Sequence, residues 1–280
     1  MVLRRLDTQA RTRARGEDGP PLPAYKLPPL LVGKLVGSVL VGGKRSSAAD
    51  AGAAIKHLHP EPEIVGAANV PAERACLVTC NHYTRPGFDA WWTGLSITAA
   101  IAAQRAPGSP KNIHWVMTAA WRYPEGDWRH RVVTPLTRWA FARVADVYDM
   151  ITMPPMPPSP EEVEARAVAV LRTVRLARRV AAEGGLLGLA PEGRDSPNLL
   201  GEPPAGAGEF IALLVRTGLP ILPVGVSEPD GRLRISFGAP FVPEMPQTRP
   251  ARDHAVIRQV MDAIAAQLPA GPSETNWEPL

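Results

Sequence analysis

Ten consecutive residues, Cys80-Asn81-His82-Tyr83-Thr84-Arg85-Pro86-Gly87-Phe88-Asp89, join a short apolar run to a segment holding Trp91 and Trp92. They set an imidazole at the end of an expected strand, where it can take up a proton near neutral pH. Asp89 is the nearest carboxylate along the chain. The turn chemistry of Arg85-Pro86-Gly87 would fold it back toward the ring, where it would fix the tautomer and stabilise the imidazolium. Asp89 would serve equally as the N-cap of the next helix, with His82 an ordinary hydrogen-bonded loop residue. Far downstream, Leu189-Ala190-Pro191-Glu192-Gly193-Arg194-Asp195-Ser196 repeats the arrangement, an apolar run breaking into a loop with a carboxylate, a guanidinium and a hydroxyl. Two such loops suggest one site.

These loops need a scaffold. Short β-rich runs fall near residues 75–80, 113–118, 147–152, 186–190, 221–226 and 233–237, with helical spacing between them. The clearest helix opens on a capping box, Ser159-Pro160-Glu161-Glu162, and carries Val163, Ala167, Val170, Val174 and Ala177 on one face before Gly184-Gly185 ends it. Strands alternating with helices predict an α/β fold with a mostly parallel, mixed sheet flanked by helices, behind an N-terminal amphipathic helical segment. In such sheets functional loops leave the carboxyl ends of the strands, where His82 and Glu192 both fall.

The 280 residues read as a disordered basic arm (1–24), an amphipathic helical preface that is a candidate for membrane contact (25–62), one α/β domain (63–268) and a tail (269–280). With 31 Lys plus Arg against 27 Asp plus Glu, the net charge of +4 is too small to argue for nucleic acid. Arginines concentrate in the arm and at Arg166, Arg172, Arg175, Arg178 and Arg179, where they suit either anionic head groups or a solvated helix face. Leu30 to Val41 is too short to cross a bilayer, which needs ~20 apolar residues, but could lie in its interface or pack as a core helix. No signal peptide is visible, and two cysteines are too few for a disulfide framework, so a reducing cytoplasm is expected. In an extended strand Cys76 and Cys80 would lie roughly 13 Å apart, too far to share a metal ion with His82, so no metal site is expected.

Asn81-His82 with a following aspartate, then Pro191-Glu192-Gly193 with Ser196, then Gly218-Leu219-Pro220-Ile221-Leu222-Pro223-Val224-Gly225 resemble, in order, three blocks of the glycerolipid acyltransferases of the lysophosphatidic acid acyltransferase type. The resemblance spans roughly residues 63 to 245. It implies transfer of a fatty acyl group from an acyl-CoA or acyl carrier protein thioester to a hydroxyl of a lysophospholipid or related glycerolipid. No cofactor beyond that thioester is implied, and the reaction would run at the inner face of the membrane with the protein peripheral. His82 would be the general base and Asp89 its orienting partner. Asn81, Arg85, Glu192, Gly193, Arg194 and Ser196 would bind substrate.

Three departures qualify what carries over. Six residues separate His82 from Asp89, where the family pattern has four. Glu192-Gly193-Arg194-Asp195-Ser196 moves the guanidinium and adds a carboxylate that would repel a phosphate. Asp149 to Pro154 lacks the family's arginine, so the acceptor is either uncharged or held elsewhere. A catalytically degenerate lipid-binding protein of the same fold is the alternative.

Other segments say less. Gly37 to Ser46 has the wrong spacing for a phosphate loop, and the chain lacks a Gly-x-Ser-x-Gly nucleophile elbow. Trp121 to Arg131 mixes rings and cations, suiting a lipid interface or stacked surface packing. His114 reads as a hydrogen-bonded core residue, and Glu209 as a first-turn acid beside the closely packed Gly206-Ala207-Gly208.

Overall fold

The computed structural model describes residues 25–155, 158–194 and 199–269. The basic arm, Asp195, Ser196 and the tail from residue 270 fall outside them.

Among the described residues seven strands form one sheet: β1 (Glu63–Val65), β2 (Cys76–Cys80), β3 (Ile113–Thr118), β4 (Ile151–Met153), β5 (Leu186–Leu189), β6 (Ile221–Ser227) and β7 (Arg234–Phe237). Their order is β1-β7-β6-β2-β5-β3-β4. Every pairing is parallel except β6 with β7, so the sheet is mixed and mostly parallel as expected. β2 lies at its centre, and all five of its residues are buried. That explains its apolar run, interrupted only by the small Thr79, since a strand covered on both faces has no polar side to show.

Alternation along the strands divides the core. Leu77, Leu187 and Ile221 face a layer formed by α5 (Glu162–Glu183), α6 (Ala207–Val215) and α7 (Arg249–Ala265). Cys76, Val78, Leu186 and Leu222 face the opposite layer, built from α2 (Ser47–Ile55) and α3 (Ala90–Gln104). Cys76 and Cys80 are buried free thiols on that side. A methyl group on Gly208 would lie 2.0 Å from the Asp253 carbonyl, so α6 and α7 approach through this glycine. Asp253 also accepts the main-chain N–H groups of Gly206 and Glu209, and Glu209 holds Arg252 through two 2.8 Å bonds. Glu209 is therefore a tie between the helices as well as a first-turn acid.

The preface contains α1 (Pro29–Val41), which has no buried residue, and α2, whose Ala54 joins the core. α1 lies beside α4 (Trp128–Tyr148), where Arg143 donates to the Val39 and Leu40 carbonyls. Among the described residues no helix is long and apolar enough to cross a membrane.

Two boundaries differ from the sequence expectation. The run at 147–152 is not a strand throughout: Val147 and Tyr148 complete α4, Asp149 ends it in a left-handed conformation at φ 54°, and β4 starts at Ile151. The segment Glu63–Val65 adds an edge strand. His114 is hydrogen-bonded as expected, its Nδ1 lying 2.7 Å from the Asp149 carbonyl and therefore acting as the donor, but it is only partly buried and lies outside the core.

Candidate active site

The site grows from the carboxyl ends of β2, β5 and β6. Asn81 follows β2 and is fully buried. Its Oδ1 accepts the Val226 N–H at 2.8 Å, while Nδ2 donates to the carbonyls of Val226 and Leu199 at 2.9 and 2.7 Å. The side chain thus mimics one more rung of the β2–β6 ladder. A buried amide left without these partners would cost about 1–3 kcal/mol, so they hold Asn81 in place. Expected as a substrate contact, it instead anchors the start of the His82 loop.

His82 comes next and is partly exposed, with its Nδ1 shut away from solvent. Its main-chain N–H donates to Oε1 of Glu192 at 2.7 Å. Glu192 sits in the turn that leaves β5, where Gly193 N–H bonds to the Ala190 carbonyl and Gly193 takes φ +63°, a conformation that favours glycine. Oε2 of Glu192 accepts the Gly201 N–H at 2.8 Å, and the residue is 1% exposed. Burial raises the Glu192 pKa, while the two main-chain hydrogen bonds and the nearby Arg194 cation act in the opposite direction. A buried carboxylate therefore clasps the loops after β2 and β5, which the sequence had suggested form one site. Gly193 and Arg194 are exposed beside it. Ser196 falls outside the described residues.

Beyond His82 the chain makes a tight turn. Arg85 and Phe88 exchange both main-chain hydrogen bonds, and Gly87 takes φ +85°. Phe88 is buried, and its ring lies 5.7 Å from that of Tyr83. Asp89 is exposed at the N-cap of α3, and its carboxylate makes no capping bond. Only its carbonyl binds the helix, accepting from Trp92.

Arg85 was expected to bind substrate, but its guanidinium engages Glu228, just past β6, through bonds of 2.6 and 2.5 Å. Glu228 also accepts the Tyr25 hydroxyl at 2.8 Å. Tyr25 closes the cluster, since its N–H binds the Gly87 carbonyl and its ring packs edge-on against Phe88 at 5.0 Å. Burial, then the Glu228 charge and its hydrogen bond, push the Tyr25 phenol well above its ordinary pKa.

Glu228 and Tyr25 escaped the sequence reading. Glu228 carried a usable signal, because it follows an apolar strand and enters a polar loop just as Glu192 does. Tyr25 carried none: it stands beside a proline-rich stretch, and only folding brings it to the Arg85 turn. Among the described residues no group of three or more His, Cys, Asp or Glu side chains is arranged to hold a metal ion.

Comparison with known proteins adds little. No family model and no curated protein matches the chain. Among solved structures, the 1-acyl-sn-glycerophosphate (LPA) acyltransferase PlsC from Thermotoga maritima is similar at 13% identity, over 85% of this chain and 88% of that chain, with a TM-score of 0.43. Likeness at that level is too slight to carry substrate or activity from one chain to the other.

Proposed function

We propose that the chain is an O-acyltransferase that moves a fatty acyl group from an acyl-CoA or acyl carrier protein thioester to the hydroxyl of a lysophospholipid or related glycerolipid. One observation carries the reading: a partly exposed histidine at the carboxyl end of the central strand, its backbone clamped by a buried glutamate from the next loop. A base held this way keeps its position without spending ring atoms on the clamp, which is what proton abstraction in a fixed geometry requires.

In the proposed step, the His82 ring accepts the hydroxyl proton through Nε2, the nitrogen opposite the shielded Nδ1. The hydroxyl oxygen bonds to the thioester carbonyl carbon, the C–S bond breaks, and the proton passes from the imidazolium to the departing thiolate. Asp89 orients the ring. Asn81 and Arg85 hold the loop, Glu192 and Gly193 shape its other wall, and Arg194 and Ser196 meet the acceptor.

A lipid acceptor is best met at a membrane surface. α1 exposes Leu30, Val36, Leu40 and Val41, and the neighbouring α4 exposes Trp128, Val132, Leu136 and Trp139. The α4 residues share one helical face over its first three turns, an apolar stretch bounded by the indoles of Trp128 and Trp139, a pattern suited to lying in a bilayer interface. The protein would thus be peripheral, on the cytoplasmic face.

The deciding experiment incubates purified protein with a labelled acyl thioester and mixed lysolipids. Diacyl product that disappears in His82→Ala supports the assignment, and product formation by that variant at the normal rate refutes it. Asp89, exposed and separated from His82 by six residues instead of four, favours a second reading, a lipid-binding protein without turnover. That reading expects retained lipid and no product.

A further inference from the structure

Helix α5 presents an outward seam unrelated to the site. Glu161, Glu164, Val168, Leu171, Arg175 and Arg178 recur at alternating steps of three and four, which places them along one line of a helix. All six are exposed, Val168 by 42% and Leu171 by 59%. Charge along the line is segregated, with acids in the first turns, apolar residues at the middle and arginines in the last turns. Among the described residues, Glu161, Glu164, Arg172, Arg175 and Arg178 form no ion pair, and only Arg179 is matched, by Asp149 at 2.6 Å. Like charges three and four residues apart repel, so the arginine end is unfavourable until something acidic covers it. Two concavities of about 380 and 400 Å³ follow one edge of the seam and share Arg172 as a wall.

We propose that this face binds a second copy of the same chain, with the two α5 helices antiparallel about a two-fold axis. Placed between Ala169 and Val170, the axis sets Glu161 opposite the partner's Arg178, Glu164 opposite the partner's Arg175 and Val168 opposite the partner's Leu171. Symmetry repeats each contact, as an isologous interface demands. The acidic half of each helix covers the basic half of the other, while the two apolar pairs meet at the centre. A parallel arrangement would stack acid on acid and arginine on arginine. The 22-residue helix spans roughly 33 Å, long enough for the whole seam to engage.

Sedimentation equilibrium of the full chain over a micromolar range should show a monomer–dimer equilibrium that weakens as salt rises. The double variants Glu161→Arg with Glu164→Arg and Arg175→Glu with Arg178→Glu should each be monomeric, since each then carries one sign at both ends. Mixed in equal amounts, they should form a heterodimer, a recovery that unfolded chains could not give. Leu171→Lys, at the centre, should weaken the wild-type dimer without altering thermal unfolding. The proposal is overturned if wild type stays monomeric throughout the range, or if each double variant dimerises as wild type does. It is equally overturned if monomeric wild type floats with anionic vesicles through these arginines, which would make the face a lipid contact.

Discussion

The main-chain amide of His82 donates to the Glu192 carboxylate at 2.7 Å, tying together two loops that lie 110 residues apart in sequence. Because the backbone makes this bond, removing the imidazole leaves the clamp in place. His82→Ala should therefore abolish acyl transfer while shifting stability by less than about 1 kcal/mol. A thermal melt beside the labelled-thioester assay checks both halves, and a large loss of stability would show the ring to be a packing element.

Glu192 has a pH signature. Its folded pKa lies above its unfolded value, mainly through burial, so the native state binds the proton more tightly. Stability from this group is present at low pH and declines as pH rises from the ordinary glutamate range through the raised native value. Glu192→Gln cannot ionise, and its amide offers one acceptor to two main-chain donors, a loss of about 1–3 kcal/mol. The cost of the substitution should be greatest in acid and shrink toward neutrality. Urea unfolding of both proteins across that range measures it, and a cost that grows with pH would contradict the raised pKa.

Asp89 distinguishes the enzyme from a simple helix cap. If its carboxylate orients His82 during turnover, Asp89→Asn should lower kcat by less than the roughly 10²–10⁴-fold that the base itself supplies, with KM nearly unchanged. Stability should move by no more than about 1 kcal/mol, because the side chain makes no capping bond and only the helix dipole is affected. Unchanged kcat would assign Asp89 to the helix alone.

Glu228→Gln should be severe. Arg85 and Glu228 have side chains only 9% and 3% exposed, so removing one charge strands the other in a largely dry setting. The expected loss is about 3 kcal/mol. The same substitution should lower kcat, since the Arg85 turn follows His82 directly. Chemical denaturation of the variant and of Arg85→Met with Glu228→Gln provides the check: the double variant should recover part of the loss, and no recovery would deny that the stranded charge is its cause.

Much of the scaffold was legible in the residues. Central strands read as mainly apolar runs because both of their faces are covered, and α5 announced itself by its capping acid: Glu162 accepts the Ser159 N–H at 3.1 Å, and Gly184 closes the helix in a left-handed conformation. Val147 and Tyr148 misled, because a short apolar run fits the end of a helix as well as a strand and periodicity cannot choose between them. Glu63–Val65 was too short to carry a pattern and became a strand by pairing with β7.

Local order along the chain was enough to set His82 and Glu192 at strand ends, since side-chain type and the break from apolar run to polar loop are properties of neighbours in sequence. Whether a polar side chain faces substrate or its own fold depends on partners brought from far away. Asn81 met Val226 and Leu199, and Arg85 met Glu228, so groups whose types suggested binding became the struts of the loop, joined by Tyr25, which reached Gly87 with no signal in the sequence. Burial settled those pairings, because a buried amide or guanidinium must find its partners inside the protein, and only the folded chain determines which ones lie within reach.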